Sequence, residues 1–310
     1  MLSKRRVWQI IRNVTLTLAA LAAAFLFLFV PWFFTNIGTT RRYHYPDPND
    51  GKTPKSYGMD FRWVSFPSID GVALRGWYVP AAGQALGTIV YCHGLNRTRI
   101  EMLPMAAYGH QLGYDGLLFD FRHQGASGGE LTTIGYQERL DVVAAVQYAL
   151  HQQNAARPVI FWGVSMGAAA ALLAAAESAD VAAVISDSSF QSLRATVEHH
   201  WRLFFHLPNF PIADEMVYWI AWRGGFRPSD FDLNKAVARV GNRPILFIAE
   251  QDDRRMPPSI AQELCSHAVS PKSMVLILPG RRHGEAFNQA NEQYEAGVRK
   301  FLTSLAAPQP

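Results

Sequence analysis

The chain has 310 residues, 49% of them hydrophobic and 17% charged, with a formal net charge of +4. Its length suits one large domain or two small ones. So small a charge, with no basic run and no zinc spacing, argues against a nucleic-acid binder.

In chain order, the first feature is apolar. No charged residue occurs from Asn13 to Thr40, and Val14 to Phe34 forms a 21-residue run. At ~1.5 Å per residue this covers the ~30 Å hydrocarbon core of a bilayer. A cleaved signal peptide has an apolar core of roughly 7–15 residues followed by a small-x-small site. Here the alanines between Ala19 and Ala24 lie in the middle, and the run continues to Trp32, Phe33 and Phe34. The pattern favours an uncleaved signal anchor over residues 13–40, after a basic flank at 1–12. Lys4, Arg5, Arg6 and Arg12 precede the run, and Arg41, Arg42, Lys52 and Lys55 follow it. The charge bias therefore gives a small preference for a cytoplasmic N-terminus, with the rest of the chain on the non-cytoplasmic side.

Residues 41–60 are rich in proline, glycine and charge and read as a linker. A domain over 61–310 follows. Residues 61–68 and 72–81 alternate in polarity around Asp70-Gly71, the pattern of a hairpin. Near-continuous apolar runs at 88–93, 115–121, 159–164, 181–186, 244–250 and 273–279 read as strands buried on both faces. Helical patterns lie between them, for example at 137–153 and 258–269. This is an α/β succession, a mostly parallel sheet flanked by helices, with an antiparallel start. Cys92, in an expected strand, and Cys265, in an expected helix, read as buried free thiols that set no compartment.

Residues 191–235 interrupt the rhythm and read as an inserted helical cap. They carry Trp201, Phe204, Phe205, Trp219 and Trp222. These aromatics either pack the insertion onto the domain or line a ligand site, and both are open.

Within "VIFWGVSMGAAAALLAAA" a buried strand turns into a helix with no loop, at Gly163-Val164-Ser165-Met166-Gly167. Glycines two before and two after the corner relieve its crowding. Ser165 is then lifted clear of the sheet at a helix N-terminus, the place of a presented nucleophile. An N-cap serine is the bland alternative. A nucleophilic serine needs a base and an orienting acid, in the chain order serine, acid, histidine. Asp252 and Asp253 follow the strand at 244–250, and His283 follows the strand at 273–279. His199, His200 and His206 cluster in the cap without a convincing metal pattern.

These residues resemble an α/β-hydrolase-fold serine hydrolase, of the membrane-anchored branch that includes acyl-protein thioesterases and monoacylglycerol-lipase-like enzymes. The resemblance covers roughly residues 60–305. It carries over "DRRMP" from Asp253, where the acid is followed by two residues, an aliphatic one and proline, and so favours Asp253 over Asp252. It also carries over "HGLNRT" at 93–98, "DFRHQGASGG" at 120–129 and "SDSSF" at 186–190. It implies an oxyanion hole from the backbone N–H groups of Leu95 and Met166, a structural role for His93, and a structural Asp120–Arg122 pair. One departure is His123, where the related segment has glycine, which implies a different loop path.

The expected function is hydrolysis of a carboxylic ester or thioester near a membrane by Ser165, Asp253 and His283. Small-molecule or lipid acyl substrates fit it, and it needs neither cofactor nor metal. The rivals are a serine peptidase of the same fold and a catalytically silent, membrane-tethered binding protein. The sequence does not show an oligomeric state. Because every catalytic piece lies beyond residue 60, residues 1–40 are expected to be dispensable for activity.

Overall fold

The structure, a computed structural model, describes residues 3–40, 44–153 and 155–306. Arg41 and Arg42, residues 1–2 of the basic flank and residues 307–310 of the domain lie outside the described residues.

The apolar run belongs to one continuous helix, Lys4–Thr40, long and apolar enough to cross a membrane. It comprises α1 (Lys4–Ala24), a π-helical turn at Phe25–Phe29 and α2 (Val30–Thr40). Its first two segments bury no residue, whereas α2 buries Pro31, Thr35 and Thr39. The difference is tertiary: the last turns of the helix rest on the domain.

Eight strands form one sheet in the order β1-β2-β4-β3-β5-β6-β7-β8. They are β1 (Arg62–Pro67), β2 (Ala73–Val79), β3 (Thr88–Cys92), β4 (Asp115–Asp120), β5 (Val159–Val164), β6 (Val181–Asp187), β7 (Ile245–Glu250) and β8 (Met274–Leu278). The β1–β2 and β2–β4 pairs are antiparallel and all others parallel. β3, β4, β5 and β7 are buried at every position, which explains why their sequences are apolar without alternating. On one face α4 (Glu138–Gln152), α5 (Met166–Glu177) and α8 (Leu233–Val240) pack with Phe119, Phe161 and Phe247. On the other, α3 (Leu103–Gln111) and α11 (Asn291–Ala306) cover Tyr91, Leu118 and Trp162.

The expected linker is packed where it is described. Asn49 and Met59 are buried, and the Tyr45 N–H donates to the Asn96 carbonyl at 3.0 Å. The cap comprises α6 (Leu193–Phe205) and α7 (Ile212–Arg223). Its two ends meet: Ser192 and Asp232 form a β-bridge, and the Leu233 N–H donates to the Gln191 carbonyl at 2.8 Å. α2 packs against α7 and is tied down at its end. Arg223 donates to Thr39 Oγ1 and to Asn36 Oδ1, each at 3.1 Å, and the Thr132 N–H donates to the Thr39 carbonyl at 2.8 Å.

Candidate active site

β5 runs into α5 at Ser165, whose backbone has φ +53° and ψ −115°. This conformation is strained for an L-residue and persists only where packing enforces it. The flanking glycines are sterically required. A Cβ on Gly163 would strike the backbone of Gly167, and a Cβ on Gly167 would strike the carbonyls of Cys92 and His93. The Ser165 N–H is held by the Asp187 carbonyl at 2.8 Å, and its hydroxyl makes no capping bond to α5. The hydroxyl lies instead 2.7 Å from His283 Nε2.

His283 lies beyond β8, and its Nδ1 is 2.8 Å from Asp253 Oδ2. A buried imidazole between a hydroxyl and a carboxylate donates from Nδ1 and accepts at Nε2. The other Asp253 oxygen, Oδ1, accepts the N–H groups of Arg255 at 2.7 Å and Met256 at 3.1 Å. Burial alone would raise the Asp253 carboxyl. The His283 bond and charge, together with those two amides, hold it below its ordinary value. Asp253 is 3% exposed, whereas the Asp252 side chain is 59% exposed and lies 3.8 Å from Arg281. Of the two candidates, only Asp253 reaches the histidine.

Leu95 and Met166 flank Ser165 in the wall of one cavity. Met166 is the first residue of α5, where N–H groups have no intrahelical acceptor. Among the described residues, the N–H groups of Leu95 and Met166 find no acceptor. The turn before Leu95 is braced by groups the sequence reading did not single out. Glu101 Oε2 accepts the Gly94 N–H at 2.6 Å, and Arg97 lies 3.3 Å from Glu101 Oε1. Burial pushes the Glu101 carboxyl up to about 7. His93 is structural: its Nε2 accepts the Phe121 N–H at 3.0 Å, and its Nδ1 lies 2.8 Å from the Gly94 carbonyl.

Asp120 and Arg122 do not pair with each other, contrary to the expectation from resemblance. β4 ends at Asp120, and Arg122 lies in the turn beyond it, so the two side chains are drawn to separate partners. Asp120 binds Arg99 at 2.6 Å and the Ala126 N–H at 2.8 Å. Arg122 binds Asp141 and Asp70, each at 2.7 Å. His123 has φ +62°, the left-handed region that favours glycine.

A second buried acid group lies behind the loops that carry Asp253 and His283. Ser188 Oγ is 2.7 Å from Asp187 Oδ1 and 2.8 Å from Glu250 Oε2. Tyr294 donates to Asp187 Oδ2 at 2.9 Å, and Glu250 Oε1 accepts the Glu285 N–H at 3.0 Å, two residues past His283. One serine proton cannot serve two carboxylates at once, so sharing favours a protonated carboxyl. Burial raises both carboxyls, helped at Asp187 by the charges of Glu101 and Asp253 and at Glu250 by the charge of Asp187. The sequence pointed to this group only through "SDSSF" at 186–190.

The cavity beside Ser165, about 220 Å³, is mostly apolar. Trp201, Phe204 and Phe205 of α6 line it, with Met216 and Ile220 of α7. Trp219 and Trp222 do not. They lie on the outer side of α7, around a shallow hollow shared with Leu28 of the N-terminal helix. The sequence showed aromatic residues at helical spacing but not which face of α7 meets the domain. Phe34, Thr35, Gly38 and Thr39 of α2 also line the cavity. The end of the N-terminal helix therefore borders the site.

A family profile described as serine aminopeptidase, S33, matches residues 83–212. The protein YqkD of Bacillus subtilis is 28% identical over 241 residues, covering 77% of this chain and 78% of its own. The protein YfhR of Escherichia coli K12 is 28% identical over 280 residues, covering 86% and 88%. Among solved structures, the Pyrococcus furiosus esterase Pf2001 superposes with a TM-score of 0.71 at 24% identity, over 85% of this chain and 98% of that one. The chain has the α/β-hydrolase fold. Within that fold the comparisons support a hydrolase.

Proposed function

We propose that this α/β-hydrolase is a serine hydrolase that cleaves carboxylic esters or thioesters beside a membrane, through an acyl-enzyme on Ser165. The observation that carries the reading is the hydrogen-bonded chain from Asp253 through His283 to Ser165 Oγ, at 2.8 and 2.7 Å, ending on a serine held at a strained strand-to-helix corner. In the proposed cycle, Ser165 Oγ attacks the acyl carbonyl as His283 Nε2 takes its proton. The Leu95 and Met166 N–H groups receive the negative charge that develops on the carbonyl oxygen. His283, now cationic and steadied by Asp253, passes its proton to the leaving oxygen or sulfur. Water, activated by the same imidazole, then releases the acid and restores the serine. Each half-reaction uses His283 once as base and once as acid.

The apolar lining of the cavity suits an acyl chain. The N-terminal helix supports membrane attachment, with the catalytic domain on the non-cytoplasmic side. A peptidase that grips a free α-amino group needs a spare carboxylate at the mouth of the site. The polar hollow around His283 is instead lined by Arg97, Arg254, Arg255, Arg281 and Arg282. Its carboxylates are engaged: Asp253 with His283, Glu285 with Arg282, and Asp252 beside Arg281.

A fluorophosphonate probe tests the reading. Labelling of the wild type but not of Ser165→Ala is expected, together with turnover of p-nitrophenyl esters. Absence of labelling would leave a catalytically silent protein. Cleavage of aminoacyl anilides faster than esters would favour the peptidase.

A further inference from the structure

We infer that the membrane helix is itself a wall of the acyl-binding pocket, and that Phe34 and Gly38 set the length of acyl chain accepted. The inference rests on the serine-hydrolase reading of Ser165 and deepens it by assigning specificity to an element that looks like a tether.

Four residues of α2, Phe34, Thr35, Gly38 and Thr39, face the cavity that Ser165 and Met166 bound from the other side. Phe34 is locked in place by edge-on contacts with Trp201 at 5.5 Å and Phe205 at 5.3 Å, both cap residues that line the same cavity. The helix end is held by the Arg223 bonds to Asn36 and Thr39 and by the Thr132–Thr39 backbone bond. This part of the helix is therefore built into the domain.

Two details indicate that a ligand occupies the space it borders. Thr35 is 1% exposed, yet its hydroxyl has no hydrogen-bond partner among the described residues. A buried hydroxyl without a partner is costly unless a bound molecule supplies one. Gly38 also borders the cavity, and a Cβ built on it meets nothing within 4 Å. Gly38 is itself exposed, so a larger side chain there has room to project over the cavity. At about 220 Å³ the space is below the roughly 300–1,000 Å³ usual for drug-sized ligands, so it suits one acyl chain rather than two. Because the cavity touches the chain just where the apolar run ends, the substrate class indicated is a single-chain acyl ester or thioester drawn from the membrane boundary.

The test uses the full chain reconstituted in phosphatidylcholine vesicles, with p-nitrophenyl esters from acetyl to dodecanoyl. Gly38→Leu fills the pocket and should move the preferred chain shorter. Phe34→Ala empties it and should move the preferred chain longer. Each methylene gained or excluded changes the specificity constant by up to roughly fourfold. The octanoyl-to-acetyl ratio of kcat/KM should therefore fall on the order of tenfold or more in Gly38→Leu. Ile37→Leu, on the exposed side of the helix, should keep the wild-type ratio. Shifts in opposite directions support the inference, because a helix that merely stabilised the domain would move both variants the same way. Unmoved optima, or shifts in one direction, overturn it. If Gly38→Leu does not accumulate, the Phe34→Ala optimum decides alone. Failure of the wild type to label with fluorophosphonate would instead sink the serine-hydrolase reading, and this inference with it.

Discussion

At the scale of single residues, the site makes two predictions, one on the proposed triad and one on a buried acid behind it. Ser165→Ala, His283→Ala and Asp253→Asn should each lower kcat by about a thousandfold or more, and the double variants should lose little beyond the singles. Asp252→Asn, at an exposed side chain, should stay within about twofold of wild type under the same assay. A large loss there with a mild one at Asp253 would reverse the assignment. The second prediction concerns Glu250, a glutamate raised from 4.5 to about 7 by burial and by Asp187. A carboxyl raised in the folded state contributes stability that is fully present below its unfolded pKa and lost as pH rises through the folded one. Between about pH 5 and about pH 8 the protein should therefore lose on the order of 2 kcal/mol through this group. Glu250→Gln keeps the shape, and its amide can donate to Ser188 while Ser188 donates to Asp187. Melting curves should show the variant gaining on wild type as pH rises. A gain that is equal at both ends of this range would count against a titrating Glu250. Asp253 acts in the opposite sense, its contribution present above the ordinary carboxylate pKa and lost in acid.

At the scale of elements, the β5–α5 corner and the cap behave differently. The corner tolerates nothing: Gly167→Ala would drive a methyl into the Cys92 and His93 carbonyls. That change should abolish fluorophosphonate labelling and cost about 3 kcal/mol or more, as backbone clashes in a packed interior do. The cap divides by face. Trp201 is buried and shared between cap and cavity, so Trp201→Ala should cost ~3–5 kcal/mol and also disturb chain-length preference. Trp222 is 72% exposed in the absence of lipid. Trp222→Ala should change melting of the detergent-free protein by less than about 0.5 kcal/mol. A drop comparable to that of Trp201→Ala would mean that α7 packs the other way round. Element boundaries were legible where apolar runs were unbroken. The strand expected at 159–164 is β5, Val159–Val164, and the helix expected at 137–153 is α4, Glu138–Gln152. The face that α7 turns to the domain was not legible, because Trp219 and Trp222 are as apolar as the residues it buries.

At the scale of the molecule, the apolar helix and the candidate site meet in one place. The N-terminal helix carries its apolar run away from the domain and then docks its last turns on α7. Phe27 meets Phe210 of the cap at 5.7 Å, and Leu28 shares a hollow with Trp219 and Trp222. Of the exposed cap residues, Phe210 and Trp222 thus lie alongside the apolar run. Under the proposed membrane attachment, these exposed apolar residues beside an apolar helix are expected to face lipid. The full chain should stay with membranes through alkaline carbonate washing. Recovery in the soluble fraction would contradict the anchor. Cutting the chain after residue 40 should release the domain but also remove Phe34 to Thr39 from the cavity, so long-chain esters should suffer more than acetyl esters.

The amino-acid sequence alone determined the alternation of strands and helices, the strained corner at Ser165 and the strand ends after which Asp253 and His283 stand. These follow from local causes: the periodicity of burial, the need for glycine where backbones touch, and chain order along a parallel sheet. The resemblance of "DRRMP" already favoured Asp253 over Asp252, and the tertiary structure turns Asp253 inward. Only the tertiary structure decided the pairing of Asp120 with Arg99 and of Arg122 with Asp141, and the carboxyl group shared through Ser188. It alone also placed the end of an apparent anchor within reach of the nucleophile. Each of these depends on contacts between residues far apart in the chain, which spacing does not encode. Thr35 and Gly38 carry no local mark of a binding site; they acquire one because α2 and α7 pack side by side over Ser165.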